Sequence, residues 1–169
     1  MPEWAELVDS YSRLVYGVAY RIVGKIQDAE DVAQETFREA FELSATESVT
    51  DWRGCLCRIA TCRAIDLLRR RRMFSQIDDQ QASPVPGPAA EIEARELGER
   101  LQTALVALPT QAAAVFALTY FEQLSRDEVA GALKMTPGAV SVALFKARKQ
   151  LQQILLIPNR NEVCHESGS

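Results

Sequence analysis

The sequence predicts an all-α protein of two small helical domains joined by a flexible linker, and three observations predict it. Apolar residues recur at three- and four-residue intervals from Leu7 to Leu151, with no convincing alternating strand. Residues that start and stop helices punctuate this pattern at regular places. Between Ser75 and Ala90, Pro84, Pro86, Gly87 and Pro88 stand among Gln, Asp and Ser with no apolar period, which is the composition of a linker. The expected division is therefore a first domain over residues 1–74, a linker over 75–90, a second domain over 91–157 and a disordered tail over 158–169.

The elements follow in order. Leu7, Tyr11, Leu14, Val15, Val18, Ala19 and Ile22 make one stripe, so a first helix runs from Trp4 to Val23 and Gly24 ends it. A second begins at Asp28, where acids favour the positive end of the helix dipole, and carries Ala29, Val32, Ala33, Phe37, Ala40 and Phe41 inward to about Leu43. Ser44 to Thr50 is a polar loop. A third helix from Asp51 to Met73 aligns Trp52, Leu56, Ile59, Ala60 and Leu67.

After the linker, Ile92, Leu97, Leu101, Leu105 and Leu108 form the buried row of a helix from Glu91 to Leu108. Pro109 restarts the backbone, and Thr110 to Glu122 carries Val115, Phe116, Leu118 and Phe121. Ser125 and Glu128 have the spacing of a capping box and open a short helix through Leu133. Thr136 then caps a last helix, with Pro137 at its first position, running to about Ile154. Two helices joined by so brief a turn make a helix-turn-helix.

Composition narrows the function. Hydrophobic residues are 47% and charged residues 25% of the 169, which is ordinary for a globular chain. No apolar run approaches the roughly 18 residues that cross a bilayer, and Glu3, Glu6 and Asp9 sit where a signal peptide is basic and then apolar. A cytoplasmic protein without membrane insertion is expected. The only histidine, His165, lies in the expected tail, so a His base or a multi-His metal site has no place in the folded part. Cys55 and Cys62 stand two turns apart on one helix, roughly 10 Å at 1.5 Å per residue, with Cys57 on another side, which does not suit zinc. A protein without catalysis, cofactor or bound metal is the reading.

The net charge of −4 hides the layout. From Asp28 to Glu47 seven acids face Arg38 alone; from Arg53 to Arg72 seven arginines face Asp66 alone. Neighbouring blocks of opposite sign suggest two partners, one electropositive and one polyanionic, or else two blocks that neutralise each other across a helix pair. On the last helix Val140, Leu144, Ala147 and Leu151 face inward. The other side presents Gly138, Ser141, Val142, Phe145, Lys146 and Lys149, with Arg148 on the flank, a surface fit to read base edges and hold phosphates. Val142 and Phe145 suit thymine methyls. A bundle helix with merely solvated lysines is the bland alternative.

Three stretches in one order carry a resemblance: DAEDVAQETFREAF (Asp28 to Phe41), LCRIATCRAIDLLRRRR (Leu56 to Arg72) and the segment from Leu108 to Leu151. Together they resemble the extracytoplasmic-function (ECF) group of the sigma-70 family, whose regions 2 and 4 are helical domains on a flexible linker. The resemblance implies an alternative sigma factor that binds core RNA polymerase and directs promoter-specific initiation. It implies that Asp28, Glu30, Asp31, Gln34, Glu35 and Arg38 dock on the beta-prime clamp helices, and that the beta flap and an anti-sigma factor are further partners. It also implies that Arg53, Arg58, Arg69, Arg70, Arg71 and Arg72 engage the minus-ten element of promoter DNA. Thr136 and the outer face of the last helix would read the minus-thirty-five element. At helical spacing Arg58, Cys62, Ile65, Arg69 and Arg72 share a face, the candidate for DNA. Trp52 is either a stacking platform for an extruded base or a core residue. The competing function is a stand-alone helix-turn-helix regulator with an N-terminal dimerisation or sensing domain.

Overall fold

A computed structural model describes residues 3–77 and 88–156, and among them forms seven α-helices and no strand. They are α1 (Trp4–Val23), α2 (Ile26–Thr46), α3 (Trp52–Ile77), α4 (Ala89–Ala107), α5 (Thr110–Tyr120), α6 (Arg126–Leu133) and α7 (Pro137–Leu156). α1, α2 and α3 pack on one another; α5, α6 and α7 form a second group, and α4 lies against α3 and α7.

The punctuation acts as the sequence reading expects. Gly24 takes the left-handed conformation, φ 72°, and its N–H donates to the Tyr20 carbonyl, closing α1 at little cost because glycine has no Cβ. At α6 the Glu128 N–H donates to Ser125 Oγ at 3.2 Å while the Ser125 N–H donates to the Glu128 carboxylate at 2.7 Å, so the capping box is complete. Thr136 Oγ1 accepts from the Ala139 N–H at 3.1 Å and caps α7. Asp51 does the same for α3, accepting from the Gly54 N–H at 3.1 Å. Here a Cβ on Gly54 would run into the Asp51 carboxylate, so this cap needs the glycine.

The boundaries of the linker move inward. α3 continues through Ile77 and α4 starts at Ala89, so both ends of the expected 75–90 linker are helical; residues 78–87, and the tail from 157 on, lie outside the described residues. Three expectations about burial need correction. Ile92 and Leu97, placed in a buried row, are 39% and 61% exposed, because the first half of α4 projects past its neighbours and the core is reached from Leu101 onward, by Leu101, Ala104, Leu105, Val106 and Leu108. Phe41 is exposed on most of its surface and covers Trp4 by an edge contact rather than entering the core. Ile65, placed on an outward face with the arginines, is fully buried.

Ile65 is buried because the two halves of the chain share their core. One buried cluster joins Ala64, Ile65 and Leu68 of α3 to Leu105, Leu108, Ala113 and Ala117 of α4 and α5. Another joins Leu56, Cys57 and Ala60 to Val115, Leu118, Leu124 and Val129. α3 therefore serves as the spine of both halves. At roughly 25 cal/mol per Å² of apolar surface removed from water, a seam of this kind holds two lobes together without a covalent tie.

Candidate nucleic-acid interface

The helix-turn-helix is built by α6, a turn in which Lys134 adopts the left-handed conformation (φ 54°), and α7. Val140, Ala147 and Leu151 point into the core and Leu144 is half-buried, which turns the opposite side of α7 to solvent. On that side Val142 is 55% and Phe145 66% exposed, beside exposed Gly138, Lys146, Arg148 and Lys149. Two large apolar side chains held in water on a helix flanked by cations are costly unless a partner covers them. A groove of about 630 Å³ runs along this face between α7 and the start of α5, with Pro109, Ala112, Met135, Val142, Lys146 and Lys149 in its walls. Ser141 is half-buried: its hydroxyl donates to the Pro137 carbonyl and accepts from Arg126 at 3.3 Å. Arg148 lies 5.4 Å from the Tyr120 ring centre, a cation–π contact that fixes its direction.

The arginine-rich helix is differently placed. Arg70 is exposed, but its neighbours are engaged. Arg69 donates to the Leu108 carbonyl at 2.8 Å and to the Thr110 hydroxyl, Arg72 donates to the Thr103 carbonyl at 3.3 Å, and Arg53 lies 3.8 Å from Glu128. Arg58 lines a cleft of about 240 Å³ between the 47–51 loop and α6, with Cys55, Glu47, Ala132 and Lys134. Trp52 is half-buried and meets Trp4 edge-on at 6.1 Å, so it belongs to an aromatic cluster with Phe37 and Phe41.

The acidic helix is largely open. Glu30, Asp31, Gln34, Glu35 and Arg38 are exposed on α2. Asp28 is the exception: it is only 7% exposed and pairs with Arg71 of α3, so its first task is to hold α2 on α3 rather than to meet a partner. Glu39 pairs with Arg63 at 2.6 Å. The two charge blocks thus neutralise each other along one seam and stay available beside it. Arg38 bridges Glu35 and Glu42 at 2.7 Å each. Its hydrogen bond and charge hold the Glu35 carboxyl below the usual glutamate range and raise the guanidinium in turn.

Burial pushes the Cys57 thiol up to about 11 and raises those of Cys55 and Cys62, which makes them packing groups rather than nucleophiles. Among the described residues no three Cys, His, Asp or Glu side chains come together as metal ligands, and no helix is long and apolar enough to cross a membrane.

Residues 7–73 match the family described as Sigma-70 region 2, and residues 98–151 match Sigma-70, region 4. The chain belongs to the sigma-70 family, in its ECF group. It is 36% identical over 160 residues to the ECF RNA polymerase sigma factor SigE of Mycolicibacterium smegmatis, covering 92% of this chain and 62% of that protein, so it spans less than two thirds of that relative. It is 27% identical to the ECF RNA polymerase sigma factor SigW of Bacillus subtilis, covering 90% of this chain and 88% of that protein. A solved complex of CnrH with the cytosolic domain of CnrY is similar to the fold, with a TM-score of 0.60, 25% identity, and coverage of 90% of this chain and 86% of that one.

Within this sigma-family frame, α1 to α3 form region 2 and α4 to α7 contain region 4. Pattern reading missed Arg126, Tyr120, Glu122 and Glu128 as partners of Ser141, Arg148, Arg21 and Arg53. Arg126 and Ser141 lie fifteen residues apart on different helices, and no helical period links them.

Proposed function

We propose that this chain is the promoter-specificity subunit of a bacterial RNA polymerase, without catalysis of its own, acting in the cytoplasm. The observation that carries the proposal is one chain that joins a capped helix-turn-helix, with Val142, Phe145, Lys146 and Lys149 outward, to an acidic helix with Glu30, Asp31 and Glu35 outward. The first is a surface for DNA and the second for a protein of opposite charge, so the chain can face both at once.

In this reading Glu30, Asp31, Gln34, Glu35 and Arg38 dock on the beta-prime clamp helices and region 4 meets the beta flap. The α7 face reads the minus-thirty-five element, with Lys146, Lys149 and Arg148 on phosphates and Ser141, Val142 and Phe145 at base edges. The arginines of α3 hold the minus-ten element, and melting draws on Trp52 as a stacking surface once its aromatic cluster yields. An anti-sigma protein that covers both halves is the natural regulator.

The test is run-off transcription with purified core enzyme. A sigma factor starts synthesis at a specific promoter only when the chain is added. A stand-alone regulator binds DNA by itself and starts nothing.

A further inference from the structure

We propose that Arg126 decides which base Ser141 accepts. Its guanidinium bridges a DNA phosphate and the Ser141 hydroxyl, and so turns that hydroxyl into an acceptor for a base with an exocyclic amine, adenine or cytosine. The inference rests on the sigma-factor reading and deepens its account of promoter choice.

Arg126 is the first residue of α6, one past the cap at Ser125, and its side chain is exposed. Helix stability does not explain a cation there. Peptide dipoles leave partial positive charge at the start of a helix, and the first turn favours acids such as Asp127 and Glu128, which follow it. Among the described residues Arg126 joins no ion pair. Its hydrogen bond crosses instead to α7, where Nη1 donates to Ser141 Oγ at 3.3 Å. A guanidinium presents five N–H donors in a fixed fork, which leaves donors for a second acceptor.

Ser141 stands one turn after Pro137 and one turn before the exposed Phe145. In a helix-turn-helix the start of the second helix reaches base edges while the first helix crosses the DNA backbone. Arg126 then lies at the strand and Ser141 at the groove, and the bond between them ties the two contacts together. A serine hydroxyl has one O–H and two acceptor positions. Here the O–H goes to the Pro137 carbonyl at 3.3 Å, and one acceptor position takes the Arg126 N–H. What remains is an acceptor with no donor. In the major groove adenine N6 and cytosine N4 donate, whereas guanine O6 and thymine O4 would set a lone pair against it. A serine alone turns to donate or accept and suits either kind of base. Arg126 fixes the turn, because a hydroxyl that accepts from a guanidinium on one side keeps its proton on the other.

The experiment compares Arg126→Ala, Arg126→Lys, Ser141→Ala and the Arg126→Ala, Ser141→Ala double variant, each as the full chain reconstituted with core enzyme. The probe is a promoter duplex selected by the wild-type holoenzyme from a pool randomised over the upstream element, and fluorescence anisotropy reads binding. Arg126→Ala should lower the slope of log K against log salt by about 0.9, the share of one phosphate. With lines that meet near 1 M salt, that is about 15-fold weaker binding at 50 mM and about fourfold at 200 mM. Ser141→Ala should leave the slope untouched. At one position of the element, wild type should prefer adenine or cytosine over guanine or thymine by at least about fivefold. Arg126→Ala and Ser141→Ala should each erase that preference, and the double variant should erase no more. Arg126→Lys should keep the slope and lose the preference, since an ammonium brings charge to the phosphate without the fork that reaches both acceptors at once.

A slope change below about 0.3 in Arg126→Ala, or a base preference that survives it, overturns the proposal. So does a double variant in which two independent losses add. Run-off transcription from the same duplex keeps the failures apart. A wild-type holoenzyme that binds the duplex but starts no synthesis refutes the sigma-factor reading, while the Arg126 cycle is still read on that duplex. One that starts synthesis, with a slope blind to Arg126→Ala, refutes this assignment alone.

Discussion

Replacing Lys146 and Lys149 with Ala tests the reading of α7 most directly. Both side chains are exposed, both border the groove along the outward face of α7, and neither joins an ion pair among the described residues. If each neutralises one phosphate, each contributes about 0.9 to the slope of log K against log salt, so the double variant loses about 1.8. The two titration lines then meet near 1 M salt. At 200 mM the variant should bind about 20-fold more weakly than wild type, and at 50 mM about 200-fold more weakly. Fluorescence anisotropy of a promoter duplex with reconstituted holoenzyme, at four salt concentrations, measures both slopes. The loss should be nearly the same on a duplex with a scrambled minus-thirty-five element, because phosphates carry no sequence. A slope change below about 0.5, or a deficit equal at all salts, would refute the placement of these lysines on phosphates.

Reversal of Asp31 and Glu35 to Lys should abolish capture of the chain by core enzyme while the far-ultraviolet dichroism stays helical; retained capture would rule out α2 as the docking helix. Ser125→Ala should lower unfolding stability by about 1 kcal/mol in urea titrations, the usual worth of an N-cap hydroxyl, and no loss would mean that the box does not hold α6. The Ser125 N–H, then its hydroxyl, keeps the Glu128 carboxyl below the ordinary glutamate value of about 4.3, so its contribution is present above that value and fades as pH falls through the lower folded one. The stability gap between wild type and Glu128→Gln should therefore be flat above pH of about 5 and close on acidification; a gap that widens contradicts this. With its thiol pushed up to about 11, Cys57 should resist iodoacetamide at neutral pH until the chain unfolds, as read by peptide mass spectrometry. That raised value favours the fold below the unfolded thiol value of about 8.5, and the benefit disappears as pH rises from there toward 11.

How much of this was legible depended on whether the deciding partner was near in sequence. All seven helices follow from three- and four-residue spacing, and the caps at Gly24, Ser125 and Thr136 follow from local chemistry, because each is satisfied within a few residues. The outward face of α7 was legible for the same reason: Val140, Ala147 and Leu151 set the inward side, and Val142, Phe145 and Lys149 follow by rotation. The face of α3 was not. Arg58, Cys62, Ile65, Arg69 and Arg72 look like one open basic stripe, yet Ile65 is buried and Arg69 and Arg72 donate to the end of α4 and to Thr110, and no periodicity within α3 announces partners that arrive about forty residues later. Ile65 was the one signal, an isoleucine among arginines.

The two charge blocks pair with each other along one seam and stay exposed beside it. Asp28 and Glu39 lie eleven residues apart on α2, three helical turns, and meet Arg71 and Arg63 of α3. Between them Asp31 and Glu35 share a shallow cleft with Arg63, Leu67 and Arg70, and the Arg70 charge helps to hold Glu35 ionised. Opposite charges so arranged fix the register of α2 on α3 and leave a surface that alternates in sign at its edge. Uniform negative charge would attract any basic protein or counterion. An alternating edge rewards only a partner whose own charges match in order, because each like-charged juxtaposition costs what a matched pair gains. If α2 is the docking helix, as proposed, the same arginines that neutralise it also make that docking selective, and a short chain with net charge −4 carries a protein surface and a DNA surface on neighbouring helices.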